Sequence, residues 1–272
     1  WLSELIALMA PFGVSERLVR TSCFRLIDEG WLTTRRDGRR SHYSLTPLGQ
    51  RRIELAYQRV YTPPQVDWDG QWTLVITPRG GDTIPNRVEL RRELEREGVA
   101  LLTPGVMIHP VDKHEALAQV LDELGLRDRV AVLRAADLAG FDAAGNRNLM
   151  LQCWNLDEVG ARYQRFIEHF QPLLAKLGKT ELEPQQAFLI QTLLIHSYRR
   201  ATLHDPHLPM VMLPPDWAGM AAYELCRQLY ALTGANAQAF VGAVCTMPEH
   251  AADDDPAAAA LKATSQRFLA VR

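Results

Sequence analysis

The sequence is poor in cysteine, with four in 272 residues, and none of Cys23, Cys153, Cys226 and Cys245 stands in a CxxC pair. That spacing argues against a thiolate zinc site and against a disulfide frame, and points to a reducing, cytoplasmic setting. No apolar run approaches the roughly 18 residues of a membrane span, so a soluble chain with no membrane partner is predicted. No basic-plus-apolar leader opens the chain, and position 1 is Trp rather than Met; this reads as a chain trimmed at its start rather than one marked for export. Lysine is absent from the first 60 residues, which nevertheless hold ten arginines against six acids. That segment therefore carries +4, and the rest must carry −6 to reach the overall −2. A basic module on an acidic body is the balance of a protein that meets phosphate at one end only.

Within the basic segment, Leu2, Leu5, Ile6 and Met9 recur at helical spacing until Pro11 and Gly13 break the pattern. Ser15 is placed to cap a second helix from about Glu16 to Glu29, whose inner stripe is Val19, Cys23, Leu26 and Ile27 and whose stop is Gly30. Its opposite face carries Arg17, Arg20, Thr21 and Arg25, suited to guanine edges and phosphates in a major groove. Residues 31 to 45 then read as two strands joined by a tip of Arg35, Arg36, Asp37, Gly38, Arg39 and Arg40, with Asp-Gly as the turn signal and His42 as a further contact. Four arginines round one turn repel each other unless an anion neutralises them, which places the hairpin against a DNA backbone or minor groove. Thr46 and Pro47 open a third helix running through Ile53, Tyr57 and Val60. Helix, turn, helix, arginine hairpin and exit helix is the order of a winged helix-turn-helix, and such a module has a further helix first, expected ahead of Trp1.

Thr62-Pro63-Pro64 and the polar run to Gly70 read as a linker. Beyond it come a strand at 71–77, a helix at 88–97, strands at 100–102 and 106–109, a helix at 114–124 and a strand at 130–133. β-α-β-β-α-β is the ferredoxin-like order, a fold that hosts many functions and from which dimerisation is the modest inference. Asp82 and Asp112 lie near strand ends without the carboxylate cluster a metal nuclease needs.

From Asn155 the chain reads as helical, at 156–177 with Gly178 as a stop, at 185–201 and at 217–232. Between the last two lies the least ordinary stretch, residues 194–217, which gathers His196, Tyr198, Arg199, Arg200, His204, Asp205, His207, Asp216 and Trp217 among four prolines. Three readings stay open for it. It is a loop whose Arg and Asp pair with one another and with helix ends, a metal site on His204, Asp205 and His207, or a pocket where Arg199 and Arg200 hold an anionic ligand that Tyr198 or Trp217 covers. The first and third stand level, while the metal reading lacks a helical ligand spacing, and neither a metal nor a cofactor is predicted. An enzyme acting on a thioester or nucleic acid at 196–216 is the rival functional class, but Ser197 beside His196 on one helix forms no nucleophile-base pair, and no catalytic residue is assigned. Residues 249–263, with DDDPAAAA, read as a loose tail.

The residues PFGVSERLVRTSCFRLIDEGWL (11–32), GRRSHYSLTPLG (38–49), DWDGQWTLVI (67–76), LIHSYRRATLHDPHLPMVMLPPDW (194–217) and AYELCRQLY (222–230) resemble those of the PaaX-type repressors of phenylacetate catabolism. The resemblance spans nearly the whole chain. It implies an α+β multidomain protein: a winged helix-turn-helix at 1–61, a ferredoxin-like middle domain at 62–140 similar to the small CRISPR-associated adaptation nucleases, and a helical C-terminal domain at 141–272. It also implies a homodimeric repressor, not an enzyme, that leaves double-stranded operator DNA when an acyl-coenzyme A effector, phenylacetyl-coenzyme A, binds. Arg17, Arg20, Thr21 and Arg25 then fall on the recognition helix and Arg36, Arg39 and Arg40 on the wing, with Ser15, Arg35 and His42 as further DNA contacts. His196, Tyr198, Arg199, Arg200 and Trp217 are the candidates for the effector.

Overall fold

A computed structural model describes residues 1–64, 67–78, 87–177 and 181–245. Asp82, Gly178 and the 249–263 tail, together with part of the linker, lie outside the described residues. In chain order the elements are α1 (Leu2–Met9), α2 (Glu16–Asp28), β1 (Leu32–Asp37), β2 (Arg40–Leu45), α3 (Pro47–Tyr61), β3 (Gln71–Ile76), α4 (Arg87–Arg96), β4 (Ala100–Thr103) and β5 (Val106–His109). They continue with α5 (His114–Glu123), β6 (Ala131–Ala136), α6 (Ala143–Leu151), α7 (Leu156–Leu177), α8 (Pro184–Thr202) and α9 (Gly219–Val244). Packing divides the described residues into two compact units: those of Trp1–Pro63, Phe166–Arg199 and 221–245, and those of Pro64–Arg165 and Arg200–Met220. None of the described helices is long and apolar enough to cross a membrane.

In the first unit, α1 ends in a 3-10 turn at Ala10–Phe12, and Gly13 reverses the chain in the left-handed region at φ 73°. Ser15 Oγ accepts the Leu18 N–H at 3.3 Å, capping α2. Leu2, Val19 and Cys23 are buried, with Ile6, Met9, Val14 and Tyr43 packed against them. The β1–β2 pair holds Asp37 opposite Arg40, so only Gly38 and Arg39 make the turn, with Gly38 at φ 57°. A positive φ at the first central residue alone is the primed-turn geometry that suits strand twist. The strands therefore run further than the six-residue tip expected from the sequence, and Arg35, Arg36 and Arg40 are strand residues. The C-terminal helices supply this unit's second core, where Phe166 meets Tyr198 at 5.3 Å between ring centres and Leu194, Cys226 and Leu229 are buried. Tyr61 joins α3 to it: its carbonyl accepts the Tyr223 hydroxyl at 3.1 Å, and its ring meets Tyr230 edge-on at 5.8 Å.

In the second unit four strands form one antiparallel sheet in the order β4-β5-β3-β6, the split βαβ arrangement expected from the sequence. One face is covered by α4 and α5, burying Val75, Leu90, Leu94, Met107, Leu117 and Leu121. The other face, with Trp72 and Ile108, is covered by Leu208 and Met212, helped by Met150, Leu151, Trp154 and Leu213. With α4 and α5 on one side only, the second apolar face must be closed by other means, and here the return segment does so together with the end of α6.

Polar contacts fix that segment in place. His109, fully buried, lies 2.9 Å through Nε2 from the Pro206 carbonyl, while its Nδ1 accepts the Val111 N–H at 3.0 Å. This pattern assigns the ring as neutral, with the proton on Nε2. Asp205, also buried, accepts the Tyr163 hydroxyl through Oδ2 and the His207 N–H through Oδ1, each at 2.7 Å. Gly98, at φ 86°, lets the chain pass: a Cβ there would stand 2.8 Å from the Pro206 carbonyl oxygen.

Two helices differ from expectation. α6 has no strong apolar periodicity to announce it, and α9 runs to Val244, through Gly234 and Gly242, where the sequence predicts a helix ending at Leu232.

Burial, reinforced by the Lys113 charge, lowers the His109 pKa from its ordinary 6.5 to about 3. The unfolded chain takes up a proton near pH 6.5 that the folded chain refuses, so this contribution to stability is present above pH 6.5 and is lost as pH falls toward 3. Urea unfolding between pH 6 and 4 is expected to show a His109 share of up to about 1.4 kcal/mol per pH unit, absent in His109→Gln.

Candidate nucleic-acid interface

With Val19 and Cys23 turned inward, the 3.6-residue period brings Arg17, Thr21, Arg25 and Asp28 to the outer side of α2. Arg20 lies at the edge of this face and is held there: Nη2 and Nε stand 2.6 and 2.9 Å from Glu16 Oε1. Among the described residues no ion pair holds Arg17 or Arg25. Thr21 donates its hydroxyl to the Arg17 carbonyl at 2.9 Å. Ser15 is spent on the helix cap. Two residues outside the sequence candidates share the outer face, Leu18 at 53% and Phe24 at 65% exposure. Both sit off the inner stripe, which was the available signal.

On the hairpin, Arg35 pairs with His42, Arg36 with Ser41 and Asp37 with Arg40. Strand alternation therefore places Arg35, Arg40 and His42 on one side and Arg36 on the other. His42 meets Trp1 edge-on at 5.2 Å with its Nδ1 3.4 Å from Ser44 Oγ, and the Arg40 guanidinium lies 6.0 Å from the Trp1 ring centre. Arg35, Arg36 and Arg39 are exposed, with no ion pair among the described residues. Uncompensated guanidinium groups on both sides of a two-strand ribbon favour an anion that can reach both.

The joint that sets this hairpin against α3 is tight. Thr46 Oγ1 donates to the Gly30 carbonyl at 2.5 Å and accepts the Gly49 N–H at 3.0 Å. Gly49 lies so close to Trp31 that a Cβ would come within 2.2 Å of its carbonyl oxygen. The Arg52 guanidinium stacks over the Trp31 ring at 5.1 Å.

The five residues named for an effector are divided between the two units. His196, Tyr198 and Arg199 belong to the first unit, Arg200 and Trp217 to the second. Tyr198 is buried against Phe166, whereas His196, Arg199 and Arg200 are exposed. Trp217 stacks edge-on with Tyr163 at 5.9 Å, packed over Gly160 and Gly219. In the proline-bounded loop, the Asp205 carboxylate accepts the Tyr163 hydroxyl and the His207 N–H, partners other than the loop arginines that the sequence reading pairs it with. Ser197 and His196 are adjacent on α8, where successive side chains diverge by about 100°.

An exposed arginine helix face and an arginine ribbon stand on a chain that is acidic elsewhere, a charge distribution that favours a polyanionic partner over a neutral one. Comparison with known proteins gives the family. Residues 1–49 match the PaaX-like protein model, 65–146 the PaaX protein central Cas2-like domain and 154–243 the PaaX-like protein C-terminal domain. The chain is 40% identical over 243 residues to the transcriptional repressor PaaX of Escherichia coli (strain K12), covering 89% of this chain and 76% of that protein. The chain belongs to the PaaX family. Among solved structures, an uncharacterized protein from Mycobacterium tuberculosis matches with a TM-score of 0.48 and 25% identity, over 86% of this chain and 90% of that one.

Gly49→Ala is expected to lower stability by about 1–3 kcal/mol, the usual range for forcing extra volume into a packed joint, because its near neighbour is backbone and cannot rotate away. Denaturant unfolding checks it; a neutral result would mean that hairpin and α3 are loosely joined.

Proposed function

We propose that this chain is a DNA-binding transcriptional repressor of an aromatic, phenylacetate-type catabolic operon, released from its operator by an acyl-coenzyme A, with phenylacetyl-coenzyme A the first to test. Its winged helix-turn-helix is α1, α2, the β1–β2 wing and α3, with α2 entering the major groove. The observation that carries this reading is the pair of unneutralised arginine sets, Arg17 and Arg25 on α2 and Arg35, Arg36 and Arg39 on the hairpin. Both are rigidly mounted by capped helices and the Gly49 joint, as base reading requires. The name of the Escherichia coli relative and the family membership support the regulatory role.

The working division is a DNA-binding domain at 1–61, a middle domain at 62–140 and a helical domain at 141–272 that receives the effector, in a cytoplasmic protein. His196, Tyr198, Arg199, Arg200 and Trp217 remain the effector candidates, since guanidinium groups and rings suit a phosphorylated thioester with an aromatic acyl group. A homodimer fits the reading because operators of this class are dyadic. It is supported by β6, an outer strand of the sheet with Val132 and Leu133 exposed and Leu138 and Phe141 following it at 72% and 68% exposure.

Fluorescence anisotropy on a labelled fragment of the chain's own upstream region, at fixed salt, tests the proposal. The parent chain is expected to bind and to be released by phenylacetyl-coenzyme A but not by phenylacetate or coenzyme A alone. Arg17→Ala with Arg39→Ala is expected to cost about 1–3 kcal/mol for each base edge no longer held, and to flatten the salt dependence by about one unit for each phosphate no longer neutralised. Unaltered binding by the double variant would place the interface elsewhere. Tight binding that ignores the thioester would keep the DNA reading and discard this effector.

A further inference from the structure

The outer side of α2 carries an apolar row that the arginines do not explain. Leu18, Thr21 and Phe24 follow one another at three-residue intervals, Leu18 and Phe24 being 53% and 65% exposed and Thr21 also exposed. Thr21 belongs to the row as a methyl group: its hydroxyl is committed to the Arg17 carbonyl at 2.9 Å, which leaves the γ-methyl to face outward. Arg17 and Arg25 flank the row, while Arg20 is drawn aside to Glu16. Apolar groups set between cations, on the helix face that the repressor reading turns toward DNA, ask for a surface that is apolar in its middle and anionic at its margins. A guanine–cytosine edge in the major groove offers only hydrogen-bonding groups. An adenine–thymine edge adds the C5-methyl of thymine, the one apolar group any of the four bases shows there, between two phosphate backbones.

We infer that α2 reads thymine C5-methyl groups through the Phe24 ring and the Thr21 methyl, making Phe24 a specificity-determining residue for an operator with A·T pairs beneath this stretch of the helix. This rests on the repressor reading above. Phe24 makes no charged or hydrogen-bonded contact, so its share of binding is insensitive to salt, in contrast to that of Arg17 and the wing.

The test uses the full chain and two versions of its upstream fragment, identical except that one carries thymine and the other uracil throughout, which removes only the C5-methyls. Anisotropy is expected to show weaker binding to the uracil fragment, roughly fourfold for each thymine methyl that the helix touches, with the same salt slope for both. Phe24→Ala should bind the thymine fragment as weakly as the parent binds the uracil one and should discriminate less between them. Thr21→Ser, which keeps the hydroxyl bond and loses the methyl, should lose part of the discrimination with the fold intact by thermal unfolding. Equal binding of the two fragments by the parent, or an unchanged ratio in both variants, overturns the inference and leaves the repressor reading standing. Failure of the parent to bind the thymine fragment overturns both.

Discussion

The four-stranded sheet of the second unit has two apolar faces, and α4 and α5 cover only one of them. Trp72 and Ile108 on the uncovered side would meet water unless something closed over them, and burying such side chains is the main favourable contribution to folding. The chain supplies the cover from more than 90 residues downstream in sequence, laying Leu208 and Met212 on the face. The segment is polar at its start because that is where it must be held: the Pro206 carbonyl meets His109, and Asp205 receives Tyr163. Of the polar residues in 194–217, Asp205 is thereby accounted for by folding. With this face closed by the chain itself, association through the sheet is left to its edges.

The N-terminal segment follows the opposite logic. Its core is small, with Leu2, Val19 and Cys23 buried, and its rigidity comes from caps and close backbone approaches at Ser15, Thr46 and Gly49. Capping residues and glycines are insensitive to what lies on the outer surface, so the segment can carry mutually repelling arginines that would weaken a module dependent on internal ion pairs. That uncompensated charge is what the proposed DNA contact neutralises, and the acidic remainder of the chain keeps nonspecific attraction confined to one end.

Much of this was legible in the sequence, because the signals were local. Ser15, Gly30 and Thr46-Pro47 mark helix ends to within a residue, and every element from Gln71 to Ala136 follows from its period and its turns. What was hidden depended on partners distant in the chain. α6 has no apolar stripe of its own, α9 runs through two glycines in an alanine-rich helix, and nothing near Asp205 announces that its partner is Tyr163. The arginines of the candidate interface were readable as charge, but two qualifications were not: Arg20 is tied to Glu16, and Phe24 lies outward although apolar residues at helical spacing ordinarily turn in. Of the effector candidates, the sequence shows proximity along the chain, which the fold divides between two units.

In the proposed complex DNA is held by α2 and the β1–β2 hairpin and not by the Cas2-like sheet. Hydrogen–deuterium exchange of the full chain, with and without a duplex from its own upstream region, tests this most directly. DNA is expected to slow exchange across residues 16–45 and to leave the backbone of β3 to β6 unchanged. Protection concentrated in the sheet and its loops, with α2 and the hairpin unaffected, would contradict it.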